Sequence, residues 1–152
     1  MSADPHATRD AGQVEQAPRS GPAPPAGVRA GAGLGPAERL RGRESFARLR
    51  AEGRRAGDAV LRVVMARNGL AWSRIGCAVP RRYGNAVRRN RLRRLIREAF
   101  RLEKAGLPAG FDLLVSPGSS PDAADLAAVR ASLRALAADC ARRLSRGRGP
   151  AP

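Results

Sequence analysis

The sequence predicts an α+β fold, a two-layer α/β sandwich around one small sheet, with its elements in the order α-β-β(-β)-α-β-α. Three observations predict it. AVLRVVMAR (59–67), SRIGCAVP (73–80) and FDLLVS (111–116) are short apolar runs flanked by Gly, Pro, Asn or Ser, as strands are. Residues 85–104 and 122–145 place apolar side chains at helical spacing. Strands and helices alternate along the chain, so the helices pack on the sheet.

The elements follow in order. RESFARLRAEG (43–53) is a short helix with Phe46, Leu49 and the stem of Arg50 on one side, stopped by Gly53. The valine-rich run 59–67 is a strand. Asn68-Gly69 then predicts a hairpin turn, with 73–80 as the returning strand. Ile75, Cys77 and Val79 share one face of that strand, and Pro80 ends it. Residues 85–104 form a long helix capped by Asn85, and Gly106 and Pro108 follow its end. FDLLVS is a buried strand. The last helix, 122–145, has Ser120 as its expected cap and Pro121 at its first turn. Its apolar stripe is Leu126, Val129, Leu133, Leu136, Ala137, Cys140 and Leu144.

Residues 1–36 hold six of the twelve prolines and six glycines, and their three arginines balance three acids. Such a segment buries too little apolar surface to order itself, so 1–36 is expected to be a disordered extension. Residues 147–152 are expected to be a loose tail. All but one unit of the formal charge of +16 therefore belongs to one domain over about 37–146. A surplus of that size opposes compaction and attracts polyanions. No run approaches the roughly 18 apolar residues of a membrane span. The start of the chain has no secretory pattern. Cys77 and Cys140 lack any metal-ligand spacing and suit a reducing compartment as small core residues. His6 is the single histidine, so the domain holds no His-based catalytic set. Its carboxylates are scattered, without the clusters that metal-assisted hydrolysis needs. No catalytic residue and no metal ligand is expected in the protein.

The charge concentrates in RRYGNAVRRNRLRRLIREAFR (81–101), where nine arginines face a single acid, Glu98. On a helical wheel Leu92, Leu95, Ile96, Ala99, Phe100 and Leu102 fall on the buried side. Asn90, Arg93, Arg94, Arg97, Arg101 and Lys104 fall on the other. Like charges three or four apart along this ridge oppose the helix by about 2 kcal/mol in all. The first turn carries Arg88 and Arg89 where acids are normally favoured, which readies that end for an anion such as phosphate. A solvated face tends to mix signs, and this one has no acid from 85 to 97. Guanidinium groups grip phosphate with a planar fork. The ridge thus points to a nucleic acid. No helix-turn-helix, zinc finger or zipper is visible, which disfavours DNA, and a long even ridge suits folded RNA. A small structural RNA-binding protein, ribosomal or assembly-related, is the alternative that charge alone leaves open.

This stretch closely resembles the RNR signature of the bacterial ribonuclease P protein component. The matching residues are Arg81, Arg82, Gly84, Asn85, Ala86, Val87, Arg89, Asn90, Arg91, Arg93, Arg94, Arg97 and Glu98. The likeness spans roughly 39–144 and leaves the first 36 residues outside. It implies the protein subunit of a ribonucleoprotein endonuclease that removes the 5′ leader from precursor tRNA. It implies that the RNA subunit, with bound Mg2+, cuts the phosphodiester, in a cytoplasmic 1:1 complex of RNA and protein. It also implies a left-handed β-α-β crossover around the arginine helix. The RNA-binding set is then Arg81, Arg82, Asn85, Arg88, Arg89, Asn90, Arg91, Arg93, Arg94, Arg97 and Arg101. The family holds the single-stranded leader in a cleft between its first helix and the sheet. The candidates here are Phe46, Arg50, Leu61, Arg62, Val64 and Tyr83. Aromatic residues common in that cleft appear as Arg50, Leu61 and Val64, so base stacking gives way to guanidinium contacts. Phe46 fits core packing as well as it fits leader contact.

Overall fold

The computed structural model describes residues 33–146. The chain runs α1 (Arg43–Glu52), β1 (Arg54–Gly57), β2 (Leu61–Arg67), β3 (Arg74–Cys77), α2 (Ala86–Glu103), β4 (Phe111–Pro117) and α3 (Leu126–Arg146). Single 3₁₀ turns lie at Pro36–Glu38, Arg81–Tyr83 and Pro121–Ala123. The class and order match the expectation, and the optional extra strand is β1.

The strands form one sheet in the order β1-β2-β4-β3. β1 and β4 each pair antiparallel with β2, and β3 pairs parallel with β4. This corrects the expected hairpin. Asn68-Gly69 does turn the chain, with Gly69 at φ +74°, but β4 is inserted between the two strands it was expected to join. The cause is burial. β4 is withdrawn from solvent on both faces, with Phe111, Leu113 and Val115 on one and Asp112 and Leu114 on the other, so it belongs in the middle. The turn residue serves other partners: the Asn68 amide donates to Trp72 O (3.1 Å) and Asp112 Oδ1 (3.0 Å). The β3–α2–β4 crossover joins parallel neighbours.

β2 has two differently occupied faces. Leu61, Val63 and Met65 face α2 and α3, joining Ile96, Ala99, Phe100, Val129, Leu133 and Cys140 in the main core. Val64 and Ala66 face α1, where they meet Phe46, Leu49, Leu40 and Leu114. The α1 side is thus only partly covered, and α1 leaves one end of the sheet open.

Helix ends follow local chemistry. The Asn85 side chain accepts from Arg88 N at 2.9 Å and caps α2 as expected. Gly84 precedes it at φ +124°, where a Cβ would lie 2.6 Å from Arg88 Cδ, so only glycine makes this entry. α3 begins later than expected. Its cap is Asp125, whose carboxylate accepts from Ala128 N at 2.8 Å, while Pro121–Ala123 forms a separate turn without a Ser120 cap bond.

The expected tail at 1–36 lies mostly outside the described residues, as does 147–152. Residues 33–36 are described, and Leu34 packs against the main core. The segment 33–40 forms a strap over β3. Leu40 N donates to Ile75 O (2.8 Å) and Trp72 Nε1 donates to Ala37 O (2.9 Å). Gly76 lets it approach, since a Cβ there would come within 3.1 Å of Leu40.

Candidate nucleic-acid interface

α2 docks its apolar side on the sheet and α3, burying Ile96, Ala99 and Phe100. Two wheel assignments are corrected. Leu102 is exposed, and Glu103 is buried in its place. Glu103 lies about 20° from Leu92 on the wheel, inside the buried sector, so the periodicity held this signal. Its charge is met from α3 by Arg130 Nε (2.6 Å) and Arg134 Nη1 (2.8 Å). Lys104 is the second correction to the ridge. It turns beneath the strap to Glu38 (2.9 Å), and both side chains are withdrawn from water.

The remaining arginines divide into two groups. Arg88 forms an ion pair with Asp122, which precedes α3. Arg101 grips Glu98 through Nε (2.9 Å) and Nη2 (2.6 Å), holding that carboxyl below its usual range. Arg89, Arg91, Arg93, Arg94 and Arg97 have no acidic partner among the described residues. Arg91, Arg94 and Arg97 are exposed and Arg93 is half-exposed. Arg93 Nη1 donates to Asn90 Oδ1 at 2.8 Å, which holds its guanidinium along the helix. Arg89 is half-buried, and its Nε has no hydrogen-bond partner among the described residues. Arg81 and Arg82 stand exposed on the turn before the helix. Arg82 lies 5.0 Å over the Tyr83 ring. The ridge is therefore real, with its uncompensated centre at 89–97.

The Cys77 thiol lies beneath this centre. Burial pushes its pKa up, and a hydrogen bond from Arg97 with the charge of Arg93 only partly offsets that. Cys140 is pushed up to about 11, mainly by burial. Both thiols are protonated at neutral pH and act as core residues.

The second candidate surface is the α1 side of the sheet. Phe46 is half-buried there against Leu49 and Val64. Arg50 is exposed on the last turn of α1, and Arg62 is exposed on β2. Leu61 is not part of this cleft. It is 2 % exposed on the opposite face, because side chains alternate along a strand. Arg55 was missed. It is exposed on β1 and lies opposite Val64 in register, which puts it on the cleft side. A four-residue strand bounded by glycines carries too little pattern to be read. Tyr83 is anchored by its hydroxyl, which donates to Pro117 O at 2.9 Å, at the Arg62 end of the sheet.

Acidic chemistry does not gather at either surface. Asp112 is fully buried and taken by Arg74 Nε and Nη2 (2.8 Å each) and by Asn68. Asp58 accepts from Val60 N, Leu61 N and the Ser132 hydroxyl. No group of three or more His, Cys, Asp or Glu that could hold a metal occurs among the described residues. None of the described helices is long and apolar enough to cross a membrane.

The family model for Ribonuclease P matches residues 34–141. The ribonuclease P protein component of Thermotoga maritima is 44 % identical over 80 residues, covering 53 % of this chain and 68 % of that protein. Its counterpart from Roseiflexus sp. is 41 % identical over 91 residues, covering 60 % and 74 %. Among solved structures, the Thermotoga maritima RNase P protein superposes with TM-score 0.58 at 35 % identity, covering 74 % of this chain and 99 % of that one. The Staphylococcus aureus RNase P protein superposes with TM-score 0.58 at 26 % identity, covering 65 % and 91 %.

Proposed function

The chain belongs to the ribonuclease P protein family, and from that premise we propose how its surfaces serve the RNA-binding subunit of this endoribonuclease. The row Arg89, Arg91, Arg93, Arg94 and Arg97 meets the phosphates of the ribonuclease P RNA. Asn90 orients Arg93, while Arg81, Arg82 and Asn85 extend the contact past the helix start. The observation that carries this reading is that those five arginines have no acidic partner among the described residues, while Arg88 and Arg101 each have one. Bringing RNA against them removes mutual repulsion and releases counterions.

The α1 side of the sheet holds the 5′ leader of precursor tRNA, through Arg50, Arg62 and Phe46 with Val64, and with Tyr83 at one end. The complex is 1:1 and acts in the cytoplasm. Magnesium supplies the chemistry of phosphodiester cleavage from sites on the RNA. The protein's donor set does not fit such an ion, because the buried carboxylates Glu38, Glu103 and Asp112 are each taken by arginine or lysine and the described residues hold no cluster of acids that could bind it. The protein's own work is neutralising RNA charge and placing the substrate.

The test is to mix the protein with a bacterial ribonuclease P RNA and a precursor tRNA at low magnesium. Protein-stimulated release of an intact 5′ leader is the expected result. RNA binding with no stimulation would leave only a structural RNA-binding role.

A further inference from the structure

The basic ridge of α2 is not a free-standing surface. A groove of about 390 Å3 runs beside it, and its other wall is the strap before α1. Asn90, Arg93, Arg94 and Arg97 line the helix side, and Leu34 with Arg39 line the strap side. Glu98 and Arg101 close one end as a satisfied pair, so Glu98 adds little repulsion toward an anion.

The strap wall is firmly built. Glu38 is buried on Lys104, Arg39 bridges to Ile75, and Leu40 N donates to Ile75 O at 2.8 Å. Arg39 lies between two anchored residues and is itself exposed with no acidic partner among the described residues. Its backbone is fixed while its guanidinium stands at the surface. Arg93 and Arg97 are one helical turn apart, about 6 Å along the axis. That interval is close to the step between successive phosphates of one strand. A flat ridge meets a helical surface, whereas two basic walls with an apolar side chain at Leu34 suit one strand entering between them.

We propose that this groove clasps a single ribose-phosphate strand and that Arg39 is an RNA-binding residue acting across it from Arg93 and Arg97. The inference rests on the RNA-binding role above, and it adds a residue and a wall outside the arginine helix. The strand comes from the ribonuclease P RNA or from precursor tRNA, and both offer the same chemistry.

The experiment uses the full-length protein and measures affinity for ribonuclease P RNA and for precursor tRNA, separately, across a salt series. Arg39→Ala is expected to lower affinity for one of them several-fold and to reduce its salt slope by about 1, as loss of one phosphate contact does. Arg39→Lys is expected to recover the slope but only part of the affinity, because the fork is lost. Photocrosslinkers at positions 39 and 97 are expected to label the same or adjacent nucleotides, and the labelled RNA identifies the source. A thermal melt unchanged by Arg39→Ala shows that the fold is intact. Wild-type affinity and slope for both RNAs, or crosslinks from 39 and 97 on distant strands, would overturn the proposal. That failure is separable from failure of the family role, since the wild-type protein would still stimulate cleavage.

Discussion

Lys104 Nζ lies 2.9 Å from Glu38 Oε2, and the pair joins the end of α2 to the strap with both side chains almost wholly out of solvent. Removing one partner of such a pair leaves a buried charge alone, which costs about 3–5 kcal/mol. Lys104→Met and Glu38→Met are therefore each expected to destabilise strongly in urea unfolding. Lys104→Met combined with Glu38→Met is expected to recover most of the loss, because two apolar side chains need no partner. A double variant no better than the sum of the singles would mean that the pair is not coupled.

Asp112 plays the corresponding role on the α1 side. It is fully buried, receives two bonds from Arg74 and one from Asn68, and lies 4.0 Å from Arg48 of α1. Asp112→Ala leaves the Arg74 guanidinium without its charged partner and takes one of two acceptors from the Asn68 amide, and a loss of about 3–5 kcal/mol is expected. Because Arg74 also reaches Ser45 Oγ (3.3 Å), α1 should loosen first. Hydrogen exchange should show the α1 amides losing protection before those of β2 and β4.

The arginine helix and its cap were legible because period, charge and N-cap chemistry all lie within one continuous stretch. The sheet order was not. Asn68-Gly69 is a sound local turn signal, but the partner of β2 is chosen by burial of β4, more than 40 residues away, which local pattern does not carry. Burial of Glu103 was visible on the wheel, yet it becomes acceptable only once Arg130 and Arg134 arrive from α3. The face of Leu61 depends on where the strand begins to alternate, and a one-residue choice reverses it. Arg39 gave no signal, since its importance arises from a strap that is fixed by tertiary contacts.

The assignment of faces on β2 is open to a direct check. Leu61 belongs to the core beneath α3, and Arg62 to the open side of the sheet. Leu61→Ala is expected to cost about 2–5 kcal/mol of stability, with little change in leader affinity at a temperature where the protein stays folded. Arg62→Ala should do the reverse, leaving the melt within about 0.5 kcal/mol while weakening binding of a leader-bearing substrate relative to a leaderless one. Equal effects on the two substrates would remove Arg62 from the leader surface.

With so few rings on that side, phosphate contacts should dominate there. Phe46 is the single aromatic residue in the apolar cluster beneath α1, and it is half-buried. Arg50, Arg55 and Arg62 are the exposed cations. A leader with abasic sites should bind nearly as well as an intact one, since stacking is worth about 1–3 kcal/mol per base only where a ring is offered. A leader with neutral phosphate substitutes should bind much less well and lose its salt dependence. Competition binding with the two leaders distinguishes these outcomes, and a large abasic penalty would restore base stacking as the main term.

Acid should unfold the protein through a small number of carboxylates. Burial pushes the Glu103 carboxyl up, but the hydrogen bonds and charges of Arg130 and Arg134 outweigh it, and the group sits below its ordinary range. Asp58 is likewise lowered, as the Leu61 and Val60 N–H groups and the Ser132 hydroxyl overcome its desolvation. A carboxylate depressed in the folded state contributes stability above its unfolded pKa, which is about 4 for Asp and Glu. That contribution is lost as pH falls through the folded value. Stability is therefore expected to hold between neutrality and about pH 5 and to fall steeply below about pH 4, where loss of negative charge also adds to the repulsion of a highly basic chain. Glu103→Gln should be less stable than wild type at neutral pH, and the gap should close as pH drops below about 4. Urea unfolding across that range makes the comparison. A gap that stays constant with pH would mean that Glu103 contributes by packing and not by its charge.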